Sequence, residues 1–229
     1  MGAVVAVSEA TRARLDSLGI RATVISNGVD VDRFTPRDTP APLVSPPVGM
    51  KGAPAPLVRF VYPARLLPGK GQHAALDALG RMRPDQRWRA RVVLVGAVAD
   101  RIYADQLRIQ VYKLPVEIHE DVPDIVPYYQ DVDVVLFPTL MEEGFGFTAV
   151  EGMACGKPVV YYDQPAIREA TGGIGIPVAR DDADALRNEM LRLMDDPEER
   201  RRLGEAGRAY AEGLGWARVW ERYEAVLGR

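Results

Sequence analysis

Glu143-Gly144-Phe145-Gly146-Phe147-Thr148-Ala149-Val150-Glu151-Gly152-Met153-Ala154-Cys155-Gly156, running on into Lys157-Pro158-Val159-Val160, reads as a glycine-rich turn, a short apolar helix and the start of a buried strand. Its two carboxylates lie eight residues apart, so Glu143 falls on the turn and Glu151 about two helical turns further on. The backbone N–H groups of Phe147, Thr148 and Ala149 are expected to face open space at the helix start, where an anion is favoured. Glu151 is the only charge in that helix, and a carboxylate placed there needs hydrogen-bond donors such as a vicinal diol. Phosphate at the helix end and sugar hydroxyls on the acids together describe a nucleotide sugar. The plainer alternative is a strand-turn-helix connection with one solvated acid at each end, since acids near helix starts are common for dipole reasons.

Outward from this stretch, strand and helix signals alternate. Residues 58–62, 91–95, 116–119, 132–137 and 158–161 are short β-rich runs, and most intervals between them carry helical periodicity. That alternation predicts an α/β fold, a doubly wound, Rossmann-like parallel sheet covered on both faces, with ligands at the carboxyl ends of the strands. The tail reads as helices: Leu186, Met190 and Leu193 share one face, then Leu203, Ala206 and Tyr210, then Trp216, Val219, Tyr223 and Val226. Asp181, Asp182 and Asp184 sit where a helix start favours negative charge, and Pro197 suits a first turn. These apolar stripes are read as packing surfaces rather than a cofactor box.

At the other end, residues 2–7 read as a strand, Ser8 as an N-cap, 9–18 as a helix stopped by Gly19, and 22–26 as a second strand. Asn27-Gly28 turns the chain out. Residues 35–57 hold seven of the 18 prolines and are expected to form an exposed linker. The division predicted is therefore 1–34, 35–57 and a main domain over 58–229.

A second chemical cluster follows the first strand of that domain: Tyr62-Pro63-Ala64-Arg65-Leu66-Leu67-Pro68-Gly69-Lys70-Gly71 puts two cations on a proline- and glycine-rich loop. Gly69-Lys70-Gly71-Gln72-His73-Ala74 fits a Gly-x-Gly-x-x-Ala dinucleotide fingerprint, but its glycines come several residues after the strand rather than in its tight turn. The next strand also ends without the acid that would hold an adenosine ribose. Lys70 is followed by Gly71, so the phosphate loop of nucleotide hydrolases is absent as well.

The Glu143–Glu151 stretch resembles the Glu-x7-Glu signature of the retaining GT-B glycosyltransferases, in particular glycosyltransferase family 4. The resemblance implies that Glu143 contacts the donor sugar beside the Gly144-Phe145-Gly146 backbone, while Glu151 holds the ribose hydroxyls. It further implies that Arg65 and Lys70 grip the donor diphosphate, so that a guanidinium, an ammonium and helix N–H groups stabilise the leaving group without a metal. In the base pocket the family usually has Phe-x-Gly-x-Val. This chain has Ile118-His119-Glu120-Asp121-Val122, with Val122 matching and Glu120 replacing the glycine, so uracil, guanine and adenine all stay open as the base. Pro138-Thr139 stands where Pro-Ser is common.

Residues 5–34 are similar to the closing segment of the family's N-terminal, acceptor-binding domain, which implies that the rest of that domain is a missing partner. The edges and apolar helix face of residues 3–26 are then expected to dock poorly or to self-associate with a second copy. The reading is a metal-independent glycosyltransferase in its donor-binding half, inactive in isolation, taking a UDP-, GDP- or ADP-linked sugar and no further cofactor. A non-catalytic nucleotide-sugar-binding or assembly module is the alternative.

Composition limits the other classes. At 229 residues and 47% hydrophobic the chain can bury a full core, and a net charge of −3 gives no nucleic-acid footprint. One cysteine rules out an internal disulfide and fits a reducing cytoplasm, peripheral to a membrane when the enzyme is whole. No apolar run approaches the roughly 20 residues of a membrane span. With two histidines and no Cys or His pairs at ligand spacing a structural zinc site is disfavoured. Neither a Gly-x-Ser-x-Gly elbow nor a two-acid glycosidase pair is present, because adjacent Glu142 and Glu143 diverge in direction. His119 is expected to be a packed strand histidine, and Cys155 a small buried hydrophobe.

Overall fold

Valine-rich segments buried on both faces build the centre of the molecule. In a computed structural model, which describes residues 3–37 and 57–228, six strands form one parallel sheet: β3 (Val58–Pro63), β4 (Ala90–Gly96), β5 (Val116–Glu120), β6 (Val134–Phe137), β7 (Val159–Tyr162) and β8 (Ile176–Val178). Their order across the sheet is β5-β4-β3-β6-β7-β8. Phe60 of β3 is flanked by Val92 on one side and Val134 on the other, and Phe60, Val61 and Tyr62 are all inaccessible to solvent. Such a run can be apolar at every position because helices cover both faces. Those helices are α2 (Gln72–Gly80), α3 (Pro84–Arg87), α4 (Arg101–Gln110), α5 (Val126–Gln130), α6 (Phe147–Ala154), α7 (Pro165–Ala170), α8 (Ala183–Asp195), α9 (Pro197–Glu212) and α10 (Trp216–Leu227).

The tail forms helices where its periodicity predicts them. Asp182 caps α8 by accepting from Ala185 N at 2.9 Å, Asp196 caps α9 by accepting from Glu199 N at 2.8 Å, and Pro197 opens α9. Leu186, Met190 and Leu193 are buried. Periodicity says nothing about how α9 approaches α6, which depends on a glycine: a Cβ at Gly204 would lie 2.2 Å from the Gly156 carbonyl oxygen. Beyond one-residue shifts at strand ends, the sheet differs from the sequence reading at two places. The sixth strand begins at Val134 rather than 132, because Asp133 is taken up by the main-chain N–H of Arg59 at 2.7 Å and by its guanidinium. The strand β8 was not anticipated, since Pro177 and Gly175 mask a three-residue edge strand.

The first residues form a separate small unit. A short strand β1 (Val5–Ala6) pairs in parallel with β2 (Thr23–Val24), and α1 (Glu9–Ser17) joins them with Ser8 as its N-cap. The strands are shorter than predicted, and the unit is not left without support as expected. Helix α1 buries none of its residues and is held to the rest of the molecule through polar groups. Glu9 N donates to Glu169 Oε2 of α7 at 2.8 Å, and Arg14 pairs with Glu142 at 2.8 Å. Residues 27–37 then run along the main domain. Val29 N donates to Leu214 O at 2.9 Å, and the Arg208 guanidinium donates to the carbonyls of Val31, Phe34 and Ala154. Most of the proline-rich stretch, residues 38–56, lies outside the described residues. Among the described residues no helix is long and apolar enough to cross a membrane.

Candidate functional site

The chain winds from β3 outward through β4 to β5, then returns to start β6 on the other side of β3. The carboxyl ends of β3 and β6 therefore flank the point where strand order reverses, the place where doubly wound sheets take their ligands. One loop there carries Arg65 and Lys70, and the other carries Thr139 to Glu143 and leads into α6.

These two loops are stitched together. Leu140 N and Met141 N both donate to Gly69 O, at 3.0 and 2.9 Å, and Tyr62 Oη donates to Lys70 O. Gln72 Nε2 holds Arg65 O at 2.8 Å. Gly71 sits at φ 73°, and a Cβ there would lie 2.3 Å from Pro138 O, so the approach requires glycine. On the other loop, Gln164 donates to the carbonyls of Thr139 and Met141 and accepts from Glu143 N at 3.0 Å. The result brings Lys70 Nζ to 2.6 Å from Glu143 Oε1, and Thr139 Oγ1 donates to the same oxygen at 3.0 Å. This pair is sheltered, with side chains 16% and 17% exposed. Arg65 is exposed and has no carboxylate partner among the described residues.

Gly146, at φ 105°, turns the chain into α6. Phe145 is buried and Phe147 exposed, their rings 5.2 Å apart. Of the three N–H groups expected to be open, that of Ala149 is not, because the first turn closes tightly and it donates to Gly146 O at 3.0 Å. Those of Phe147 and Thr148 have no acceptor among the described residues, and the Thr148 hydroxyl donates to Pro63 O at the end of β3.

Glu151 occupies a different environment. Its Oε2 accepts from Tyr129 Oη at 2.6 Å, while its other oxygen has no partner among the described residues. Burial raises the Glu151 carboxyl above its ordinary range, with the tyrosine hydrogen bond and the nearby Arg33 charge opposing the shift. Burial, reinforced by the Glu151 charge, likewise holds the Tyr129 hydroxyl well above the ordinary phenol. Tyr129 packs edge-on against Phe34 at 5.5 Å, and Arg33, paired with Asp124 at 2.9 Å, lies over the Phe34 ring.

On the β5 side of the switch point, Val122 is partly buried against the core. The Glu120 carboxylate, in place of the family's glycine, is engaged by Arg108 and Arg101 of α4. His119 is held between Tyr128 Oη and Glu117. Cys155 is buried with its thiol pushed up to about 12, so it is an unreactive packing residue as read from sequence. Among the described residues no group of His, Cys, Asp and Glu could hold a metal ion.

Of the residues that sequence reasoning singles out, the structure brings Lys70, Glu143 and Thr139 into contact and places Glu151 further along α6. That reasoning missed Gln164, Gln72 and Tyr129, which hold them. The glutamines carry a faint signal, being polar residues at helix starts directly after strand-terminal loops. Tyr129 carries none beyond lying in an apolar segment.

The structure thus places a lysine and a glutamate in contact at the switch point of a parallel, doubly wound sheet. Residues 58–196 match the family described as glycosyl transferases group 1, and the chain belongs to that family. Among its relatives, a GDP-mannose-dependent monoacylated alpha-(1-6)-phosphatidylinositol monomannoside mannosyltransferase of Corynebacterium glutamicum is 29% identical, over 89% of this chain and 55% of the relative. A D-inositol 3-phosphate glycosyltransferase of Saccharomonospora viridis is 32% identical, over 85% of this chain and 47% of the relative. The crystal structure of Anabaena HepE in complex with UDP superposes with a TM-score of 0.85 at 23% identity, covering 99% of this chain and 63% of that one. The chain thus spans about half the length of the curated relatives it matches.

Proposed function

We propose that this chain is the C-terminal, donor-binding half of a retaining glycosyltransferase of family 4 type, which transfers a sugar from a nucleotide sugar to an acceptor without a bound metal. The observation that carries this reading is the meeting of Lys70 and Glu143 at the switch point, with Glu151 along the helix that follows. Arg65 and Lys70 address the diphosphate and neutralise the charge that develops as the glycosidic bond breaks. The Phe147 and Thr148 N–H groups add donors at the start of α6. Glu143 and the Gly144-Phe145-Gly146 backbone contact the sugar, Glu151 accepts the ribose hydroxyls, and the backbone near Val122 flanks the base.

The relatives include a GDP-mannose-dependent enzyme and the fold neighbours include complexes with UDP, which supports a nucleotide-linked sugar as donor, with UDP, GDP and ADP all open as its carrier. The acceptor is held by an N-terminal half that docks on residues 3–26. The cavity of about 540 Å³ between α1 and the Glu143 loop, lined by Arg14, Leu15 and Arg180 among others, is where the two halves face each other. The exposed Leu18 and Ile20 mark the same surface, which in the absence of that half would pair with a second copy. The whole enzyme works in the cytoplasm, peripheral to the membrane.

Calorimetry against UDP-, GDP- and ADP-glucose and UDP- and GDP-mannose, with and without EDTA, tests this reading. One donor is expected to bind with unchanged affinity in EDTA. Binding of none of them would overturn the donor assignment, and loss of binding in EDTA would overturn metal independence.

A further inference from the structure

Glu151 is expensive to keep ionised where it stands. Most of its side chain is sheltered, and a carboxylate in such a place disorients or protonates unless donors fix it. The structure supplies one fixed donor, Tyr129 Oη at 2.6 Å on Oε2, and leaves Oε1 unoccupied by any described residue. A strong hydrogen bond to one oxygen restrains the carboxylate there and leaves the other oxygen available to a ligand. The tyrosine is itself immobilised: only 1% of it is exposed, and it is wedged edge-on by Phe34 at 5.5 Å. Phe34 does not belong to the sheet. It sits on the segment that joins the first unit to the main domain, where its carbonyl is held by Arg208 and its neighbour Arg33 is tied to Asp124 just ahead of α5.

We propose that Tyr129 is a positioning residue that aims Glu151 at the vicinal diol of the nucleotide ribose, and that Phe34 of the connecting segment clamps Tyr129 in that role. This deepens the donor-binding reading and rests on it. The connecting segment thereby becomes part of the nucleotide site without touching the nucleotide.

The charged and titratable groups facing Glu151 are Tyr129 from α5, Arg33 from the connecting segment and Cys155 from its own helix. Tyr129 and Cys155 stay neutral at physiological pH, since burial holds both hydrogens on. Of these groups, Glu151 is the one to which a pH dependence of the ribose preference belongs. The Tyr129 hydrogen bond favours its ionised form, so removing the hydroxyl makes Glu151 protonate at a higher pH.

The test compares UDP and GDP with their 2′-deoxy counterparts by calorimetry, for wild type, Tyr129→Phe and Phe34→Leu, with thermal melts to confirm folding. Wild type is expected to prefer the ribonucleotide roughly tenfold or more, the value of a hydrogen bond to a charged acceptor. In Tyr129→Phe the preference should fall below about threefold, and its loss on acidification should begin at higher pH than in wild type. Phe34→Leu should give an intermediate preference. A variant that loses affinity equally for ribo and deoxy forms, with an unmoved pH profile, would show a merely structural tyrosine and overturn the proposal. Full discrimination in Phe34→Leu would overturn the clamp. A wild type that binds nucleotide without any ribose preference would overturn the diol role of Glu151 and the proposal with it, while a wild type that binds no nucleotide defeats the donor reading itself.

Discussion

The two acids of the same fourteen-residue stretch are held in opposite ways. Glu143 sits in an ion pair with Lys70, on two loops pinned to each other by main-chain hydrogen bonds. Its partner is a charge that a diphosphate can take over. Glu151 sits in a helix against the core, and its fixed partner is a neutral, buried tyrosine that no ligand displaces. On the proposed reading, the first arrangement holds the cation beside the diphosphate position and lets the pair exchange on binding. The second is built before the ligand comes and costs stability while it waits. On the proposed donor-binding reading, the sugar-phosphate end of the site is exchangeable and the ribose end preorganised.

The largest effect should come from breaking the exchangeable end. Lys70→Ala removes the ammonium and leaves Glu143 with only the Thr139 hydroxyl. Affinity for the nucleoside diphosphate is expected to drop by about 2–3 kcal/mol, or roughly 30- to 150-fold, since hydrogen bonds to charged groups lie in that range. Affinity for the bare nucleoside should change by less than about threefold. Arg65→Ala should follow the same pattern with a smaller loss, because its exposed guanidinium is screened. Isothermal titration with both ligands decides it: an equal loss for nucleoside and diphosphate would remove these cations from the phosphate site.

A subtler change sharpens the preorganised end. Because burial raises the Glu151 carboxyl above its unfolded value, the native state binds a proton more readily than the unfolded chain between those two pH values. Stability therefore falls as pH rises through that window and stays lower above it. Glu151→Gln, which keeps shape and removes charge, should then raise the melting temperature at pH 7.5, with a gain of 1 kcal/mol reading as about 2–4 °C. It should also weaken nucleotide binding about tenfold. A variant that melts lower and binds as well as wild type would show that the charge is neither strained nor used.

This contrast also marks how far the sequence could be read. The doubly wound order followed from apolar runs at 58–62, 91–95 and 158–161, since a strand buried on both faces has little freedom in its composition. The cations and acids were legible because they lie within short contiguous motifs. What holds them was not. Gln164 reaches back across 21 residues to Glu143 N, Tyr129 reaches 22 forward to Glu151, and Phe34 meets Tyr129 across a stretch that includes the proline-rich residues. Pairings of that kind are decided by which strands become neighbours, and no periodicity encodes them. The contacts of α1 are illegible for a related reason: they are made by caps and charges that reach to α7 and the Glu142 loop, far away in sequence.

The smallest effect is expected at that docked helix, where polar contacts of different quality can be separated. The Arg14–Glu142 pair looks strong by its 2.8 Å distance, but the side chains are 76% and 71% exposed. Water screens such a pair, and fixing two long side chains offsets most of the Coulomb gain, so Arg14→Ala should change stability by no more than about 0.5 kcal/mol. Glu169, by contrast, accepts the N–H of Glu9 through both oxygens at the very start of α1, where the helix leaves its donors unpaired and its dipole favours an anion. Glu169→Ala should loosen the helix, with faster amide exchange at residues 9–12 and a cost on the order of 1 kcal/mol. If Arg14→Ala loosens the helix as much as Glu169→Ala does, the first unit is held by its surface charges and the distinction drawn between fixed and exchangeable contacts does not extend beyond the nucleotide site.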